Sequence, residues 1–211
     1  MSLVPASSYR TAPALAPQRA LAPPRPPGEV PKGTNLTGVL LFLMADAMIL
    51  ATLLAVWWTI KGASLSWPPQ GVDVTTYLPS VIAITVTMSS FSMQWAVSSI
   101  RRNDQRSATV ALILTAFFGV AVVNAQWYSM VRADFGIADH AYGTIYLLLI
   151  GYHAVHQALA VGALVFVGAR AVVGHFGREG YDPMRAVAAF WHYSVAAWML
   201  ILTAVFLFSR H

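Results

Sequence analysis

LTGVLLFLMADAMILATLLAVWWTI, the stretch from residue 36 to residue 60, contains a single charged side chain, Asp46, in 25 positions. A helix of about 20 predominantly apolar residues is long enough to cross the roughly 30 Å hydrocarbon core of a bilayer. The stretch therefore predicts a membrane-spanning helix. Because an aspartate near the bilayer centre costs on the order of 2.5–3.5 kcal/mol to insert, we expect the Asp46 carboxyl to face protein, either neutral or well hydrogen-bonded.

The rest of the chain contains four more apolar runs of comparable length, and its composition is that of a membrane protein. Hydrophobic residues make up 57% of the chain and charged residues 10%, whereas soluble domains carry about 25% charged residues. We predict an all-α integral membrane bundle of five transmembrane helices. Thr34 or Asn35 is a candidate N-cap for the first helix, and Ser107 for the third. The predicted helices span about 36–60, 79–100, 107–130, 141–172 and 183–208.

Residues 1–33 differ in composition from the helical region, residues 34–211. Eight of the 12 prolines occur in this first segment, which is also rich in alanine. Such a sequence cannot bury enough apolar surface to offset the entropy of ordering it. We therefore expect a disordered cytoplasmic tail followed by one transmembrane domain.

Basic residues lie mainly in the tail and in two of the four predicted loops. Cytoplasmic loops carry an excess of Lys and Arg, which predicts a cytoplasmic N-terminus and, with five spans, a C-terminus outside. The net charge of +5 is not gathered on one face, which argues against nucleic-acid binding. The absence of cysteine excludes disulfides, iron–sulfur clusters and c-type haem attachment. The basic residues on the predicted cytoplasmic side are Arg10, Arg19, Arg25, Lys32, Arg101, Arg102, Arg106, Arg170, Arg178 and Arg185.

Three histidines fall within predicted spans: His153 and His156 on the fourth helix, and His192 on the fifth. Residues three apart share a helix face. If all three converged, they would form a haem or metal site; the ordinary role of an intramembrane histidine is a hydrogen bond between helices. The sequence has no phosphate-binding glycine loop, no nucleophile with a partner base and no carboxylate pair, so we expect no catalytic centre in this chain.

Aromatic residues cluster near the predicted helix ends, where tryptophan and tyrosine commonly sit at the level of the lipid headgroups. We predict an interfacial belt on this basis. Its members are Trp57, Trp58, Trp67, Tyr77 and Trp127.

Several local motifs, taken in their order and spacing, resemble those of subunit III of the haem–copper cytochrome c oxidases, in particular its short five-helix bacterial forms, including those of actinobacteria. The resemblance covers roughly residues 36–208. Asp46 stands where the family usually has glutamate. The motifs are Phe42–Met48, Trp67–Pro69, Tyr77–Pro79, Ser89–Phe91, Arg101–Asp104, Ala141–Thr144, Gly151–His156 and Phe190–Tyr193 followed by Trp198.

This resemblance implies a non-catalytic accessory subunit of an aerobic terminal oxidase, which couples electron transfer to O2 with proton pumping. Such a subunit lies in the bacterial plasma membrane, holds no haem or copper itself, binds phospholipid, packs on the catalytic subunit I and supports proton uptake. Its further partners are subunit II and other respiratory-complex subunits. Haem and copper are then expected in the partner subunits. The positions carried over as contacts to lipid or subunit I are Asp46, His153, His156, Trp191 and His192.

Two other functions remain open on the sequence. One is the related subunit associated with nitric oxide reductase, which these motifs separate poorly from the oxidase subunit. The other is an independent b-haem membrane anchor, in which His192 would meet His153 or His156 across two facing helices. A channel or transporter is disfavoured because a polar path through the membrane midplane, usually built on broken helices, is not evident.

Overall fold

The structure, a computed structural model, describes residues 33–73, 75–173 and 181–208. These residues form five α-helices, each long and apolar enough to cross a membrane, so the predicted all-α bundle of five spans is confirmed. The predicted tail, apart from Gly33, and Arg178 lie outside the described residues. The helices are α1 Thr34–Ala63, α2 Tyr77–Arg101, α3 Gln105–Val131, α4 Ala141–Val172 and α5 Asp182–Ile201, which continues as a π-helix over Leu202–Leu207.

Two predicted caps are wrong. No side chain caps α1: Gly33 precedes it with φ of 91°, a left-handed conformation that suits glycine, and the Asn35 backbone N–H donates to the Asp182 carboxylate at 3.1 Å. At α3 the capping side chain belongs to Asp104, whose carboxylate accepts the Ser107 backbone N–H at 3.0 Å. The carboxylate reaches the N–H three residues later, which is the usual N-cap geometry.

We expect the start of α3 to depend on pH. The hydrogen bonds from Ser107 hold the pKa of the exposed Asp104 carboxyl below its ordinary value. Its stabilisation of α3 is therefore complete above the unfolded-chain pKa of about 3.9 and is lost as pH falls through the lower pKa of the folded state. Asp104→Asn keeps a capping side chain but does not titrate. At acid pH the Ser107 amide should lose more hydrogen-exchange protection in the wild type than in this variant; parallel pH profiles would contradict the prediction.

Helix α5 packs against α1, α2 and α4, helix α4 packs against α1, α3 and α5, and α3 packs between α2 and α4. Contacts at both ends show that α1 and α5 run parallel. At one end Asn35 bonds to Asp182, and at the other the Lys61 ammonium donates to the Phe208 carbonyl at 2.5 Å. The inward side chains of α4 and α5 therefore each contact three other helices.

Helices α3, α4 and α5 approach one another closely around Trp191 of α5, which is completely buried. A β-carbon at Gly119 of α3 would lie 2.6 Å from both the Trp191 ring and the Val161 side chain of α4. Glycine is therefore required there for the three helices to pack at this distance. The Trp191 indole N–H donates to the Ser89 hydroxyl of α2 at 2.9 Å, which ties the same ring to a fourth helix.

Three members of the predicted aromatic belt lie on the outside of the bundle, as the prediction requires, and two do not. Trp58, Tyr77 and Trp127 are exposed on the outside of the bundle. Trp57 instead is completely buried and lies edge-on to Trp67, with ring centroids 4.8 Å apart. Both rings also contact Tyr142 at the start of α4. The reason is helical phase, since Trp57 continues the buried stripe of α1, whose members are Leu43, Asp46, Leu50 and Trp57.

Candidate functional site

Asp46 lies on the buried stripe of α1 and is 5% exposed, which confirms that its side chain faces protein. Its Oδ2 atom accepts a hydrogen bond from the Tyr152 hydroxyl of α4 at 2.5 Å. The same oxygen is 2.9 Å from Nε2 of His156, one turn further along α4. This second contact lies within ion-pair distance but does not meet hydrogen-bond geometry. The Tyr193 hydroxyl of α5 lies 3.3 Å from that of Tyr152.

The Asp46 cluster, which we define as Asp46, Tyr152, His156 and Tyr193, brings a carboxyl group and an imidazole ring close together. His156 Nδ1 donates to the Tyr152 carbonyl at 3.1 Å, which leaves Nε2 facing the carboxyl group. A proton held between Nε2 and the carboxyl group would leave the pair without net charge, which limits the cost of burial in a membrane. The cluster joins α1, α4 and α5.

A second polar cluster surrounds His153, which is completely buried. Its Nε2 atom donates to the Ser194 carbonyl at 2.9 Å, so Nδ1 must be the acceptor of the neutral tautomer. The Gln126 amide of α3 lies 2.5 Å from Nδ1 and donates to it. The Ser194 hydroxyl donates to the Gln157 carbonyl oxygen at 2.8 Å. These contacts fix α3, α4 and α5 against one another and use both ring nitrogens of His153.

His192 follows Trp191 on α5 and contacts a different helix from the other intramembrane histidines. Its Nδ1 atom lies 2.7 Å from the Ser90 hydroxyl of α2. The serine next to it, Ser89, accepts from Trp191. A third serine, Ser92, shares a hydrogen bond of 2.8 Å with Thr115 of α3. One serine-rich face of α2 therefore bonds to both α5 and α3.

The three intramembrane histidines do not converge. His156 contacts Asp46, His153 contacts Gln126 and Ser194, and His192 contacts Ser90. Throughout the described ranges, no three His, Cys, Asp or Glu side chains are grouped so as to hold a metal ion. A haem held between His192 and either of the others would require these hydrogen bonds to break.

Sequence reasoning did not find the partners of Asp46. Tyr152 lies 106 residues from Asp46 along the chain, and no local spacing connects them. The one available signal is the helical spacing of Tyr152 and His156, which are four apart and share a face. Gln157 and Ser194 likewise become neighbours only through the contact between α4 and α5.

The fold and these contacts define a multi-pass membrane protein whose buried polar side chains join helices. Comparison with known proteins identifies the family. A sequence profile of cytochrome c oxidase subunit III matches residues 27–210, and the chain belongs to that family. As a member it is an accessory subunit of cytochrome c oxidase, in a complex with other oxidase subunits.

Curated relatives support this membership over most of the chain. The cytochrome c oxidase subunit 3 of Thermostichus vulcanus is 22% identical over 179 residues, which are 83% of this chain and 88% of the relative. The subunit 3 of Synechocystis sp. is 26% identical over 175 residues, 82% of this chain and 75% of the relative. That of Lumbricus terrestris is 27% identical over 179 residues, 80% of this chain and 68% of the relative.

Proposed function

We propose that this chain packs on the haem–copper subunit I of a terminal oxidase in a bacterial plasma membrane, in a complex that also contains subunit II and other respiratory-complex subunits. The family match over residues 27–210 carries the proposal. The subunit is non-catalytic, with haem and copper in its partners and the N-terminus in the cytoplasm, and it supports proton uptake by the complex. The relatives named above are oxidase subunits, which favours an oxidase over a nitric oxide reductase.

A polar side chain on the outside of the bundle supports packing against another subunit, because it has no hydrogen-bond partner within the described residues. Asn124 lies in the apolar span α3, seven residues before its end, and its side chain is exposed. An amide facing hydrocarbon is costly, and a neighbouring helix that hydrogen-bonds to it removes that cost. The apolar groove beside it, of about 390 Å³, is also lined by Trp127 and by Ala158 of α4. A small residue there lets a partner helix approach closely.

Five residues are expected from the family resemblance to contact lipid or subunit I. We further propose that they act by fixing the positions of the helices whose outer surfaces meet lipid or subunit I. They are Asp46, His153, His156, Trp191 and His192. Trp191 and His153 are fully buried, so they act through the positions of the helices. Asp46 and His156 act in the same way and, in addition, hold a proton in the half of the bundle nearer the end that we assign to the cytoplasm. His192 sets the contact between α5 and α2.

Purification through a tag on this chain tests the proposal. In mild detergent we expect a haem–copper oxidase subunit to co-elute, identified by mass spectrometry and by a reduced-minus-oxidised spectrum. Ala158→Leu should lower its yield several-fold by filling the groove, whereas Val165→Leu, also exposed on α4 but not lining this groove, should not.

Three other outcomes would contradict the proposal. A nitric oxide reductase subunit in the eluate would move the chain to that complex. Haem absorption from the isolated chain would favour the alternative function, an independent b-haem membrane anchor. Equal yields from Ala158→Leu and Val165→Leu would remove the groove from the interface.

A further inference from the structure

We propose that this chain has a phosphate-binding pocket at the end of α2, separate from the Asp46 cluster. The pocket has a volume of about 470 Å³ and is lined by Ser98, Arg101, Arg102 and Tyr181. Its ligand is a phosphate group, carried either by the headgroup of an anionic phospholipid or by a soluble phosphate compound. No contact that defines the proposed oxidase role involves these four residues, so the two proposals stand or fall separately.

The pocket lies at the side of the bundle where α2 ends and α5 begins. Arg101 is the last residue of α2, Arg102 follows it, and Tyr181 immediately precedes α5. The Tyr181 ring packs against the buried cluster formed by α2 to α5, which fixes one wall. The two arginines also line the pocket, and their side chains are exposed. Apolar spans end at this level, so a lipid headgroup has direct access.

Among the residues that the structure describes, neither guanidinium group is in an ion pair with a carboxylate; Arg102 makes one long hydrogen bond, 3.5 Å, to the Ser99 hydroxyl. The Asp104 carboxylate caps α3 and interacts with Arg102 only through its charge. Guanidinium donors form a planar fork that binds phosphate oxygens in pairs. The Ser98 and Tyr181 hydroxyls supply two further donors.

A headgroup is the better fit of the two sources, because basic pockets between transmembrane helices bind anionic headgroups. Each Lys or Arg near the membrane surface adds about a factor of five in affinity for anionic lipid. Two arginines therefore predict a preference of about 10- to 30-fold for an anionic lipid over a zwitterionic lipid with the same acyl chains.

Native mass spectrometry of the full-length chain in mild detergent tests this pocket. Phosphatidylglycerol and phosphatidylcholine with identical acyl chains are titrated separately, and the phosphatidylglycerol titration is repeated with millimolar inorganic phosphate. We expect phosphatidylglycerol to bind about 10- to 30-fold more tightly. Arg101→Gln combined with Arg102→Gln should remove most of this preference. Arg106→Gln is the matched control, because it removes one exposed charge from the same end of the bundle without touching the pocket.

The results distinguish a lipid headgroup from a soluble phosphate compound, and they show when neither binds in this pocket. Selectivity for phosphatidylglycerol that inorganic phosphate does not reduce supports the lipid headgroup, and competition by inorganic phosphate supports the soluble source. Equal binding of both lipids with no effect of phosphate overturns the proposal. An unchanged preference in the double variant, or an equal loss in Arg106→Gln, also overturns it, because general surface charge then explains the binding.

Discussion

Replacing Trp191 with alanine is expected to lower the free energy of unfolding by about 3 kcal/mol. The indole is completely buried, touches the Gly119 position of α3 and Val161 of α4, and bonds to Ser89 of α2. In a bilayer the unfolded reference is itself apolar, so the transfer of the ring from water contributes little. The loss comes from the cavity, roughly 100–150 Å³ at about 24 cal/mol per Å³.

Reversible unfolding of the full chain in bicelles or mixed micelles measures this effect. Trp127→Ala is the matched control, since that ring lies on the outside of α3 with 68% of its surface exposed, and we expect it to cost less than about 1 kcal/mol. Trp191→Phe should fall between the two, because it keeps most of the volume and loses the Ser89 hydrogen bond. Equal losses from Trp191→Ala and Trp127→Ala would show that the ring is not the packing centre described here.

Removing the Asp46 carboxyl is expected to cost about 1–3 kcal/mol of unfolding free energy. Interhelical hydrogen bonds in membrane proteins average about 0.6 kcal/mol and reach about 1.7, and Asp46→Ala abolishes two contacts, with Tyr152 and His156. Asp46→Asn should lose much less, because its amide oxygen still accepts from Tyr152. Unfolding of both variants in bicelles measures the two losses of unfolding free energy. A larger loss in Asp46→Asn than in Asp46→Ala would refute the prediction.

Asp46→Asn also separates a structural carboxyl from one that supports proton uptake. The variant keeps the size and the acceptor oxygen but cannot exchange a proton with His156. If the proton matters, the oxidase containing this variant should assemble with normal yield yet show lower steady-state turnover or a lower ratio of protons pumped per electron. Normal assembly together with wild-type turnover and pumping would leave the Asp46 cluster a helix-packing contact only.

Five spans, and their boundaries to within a few residues, were predictable from the order of residues along the chain. A spanning helix must satisfy its own backbone hydrogen bonds and present apolar side chains throughout, and both requirements are local. The run from 141 to 172 shows this, because the predicted and observed helix coincide. The burial of Asp46 was predictable for the same kind of reason, since the cost of exposing a carboxylate to lipid does not depend on the fold.

The partners of the buried polar groups depended on the rotation and depth at which the helices meet. Asp46 reaches Tyr152 across 106 residues, and His153 reaches Ser194 across 41. Helix phase also turned Trp57 inward, against an expectation based only on its place near a helix end. Which residues cross the membrane thus follows from local composition. Which side chains share a hydrogen bond follows only from the close approach of the helices to one another, because that approach brings distant segments within bonding distance.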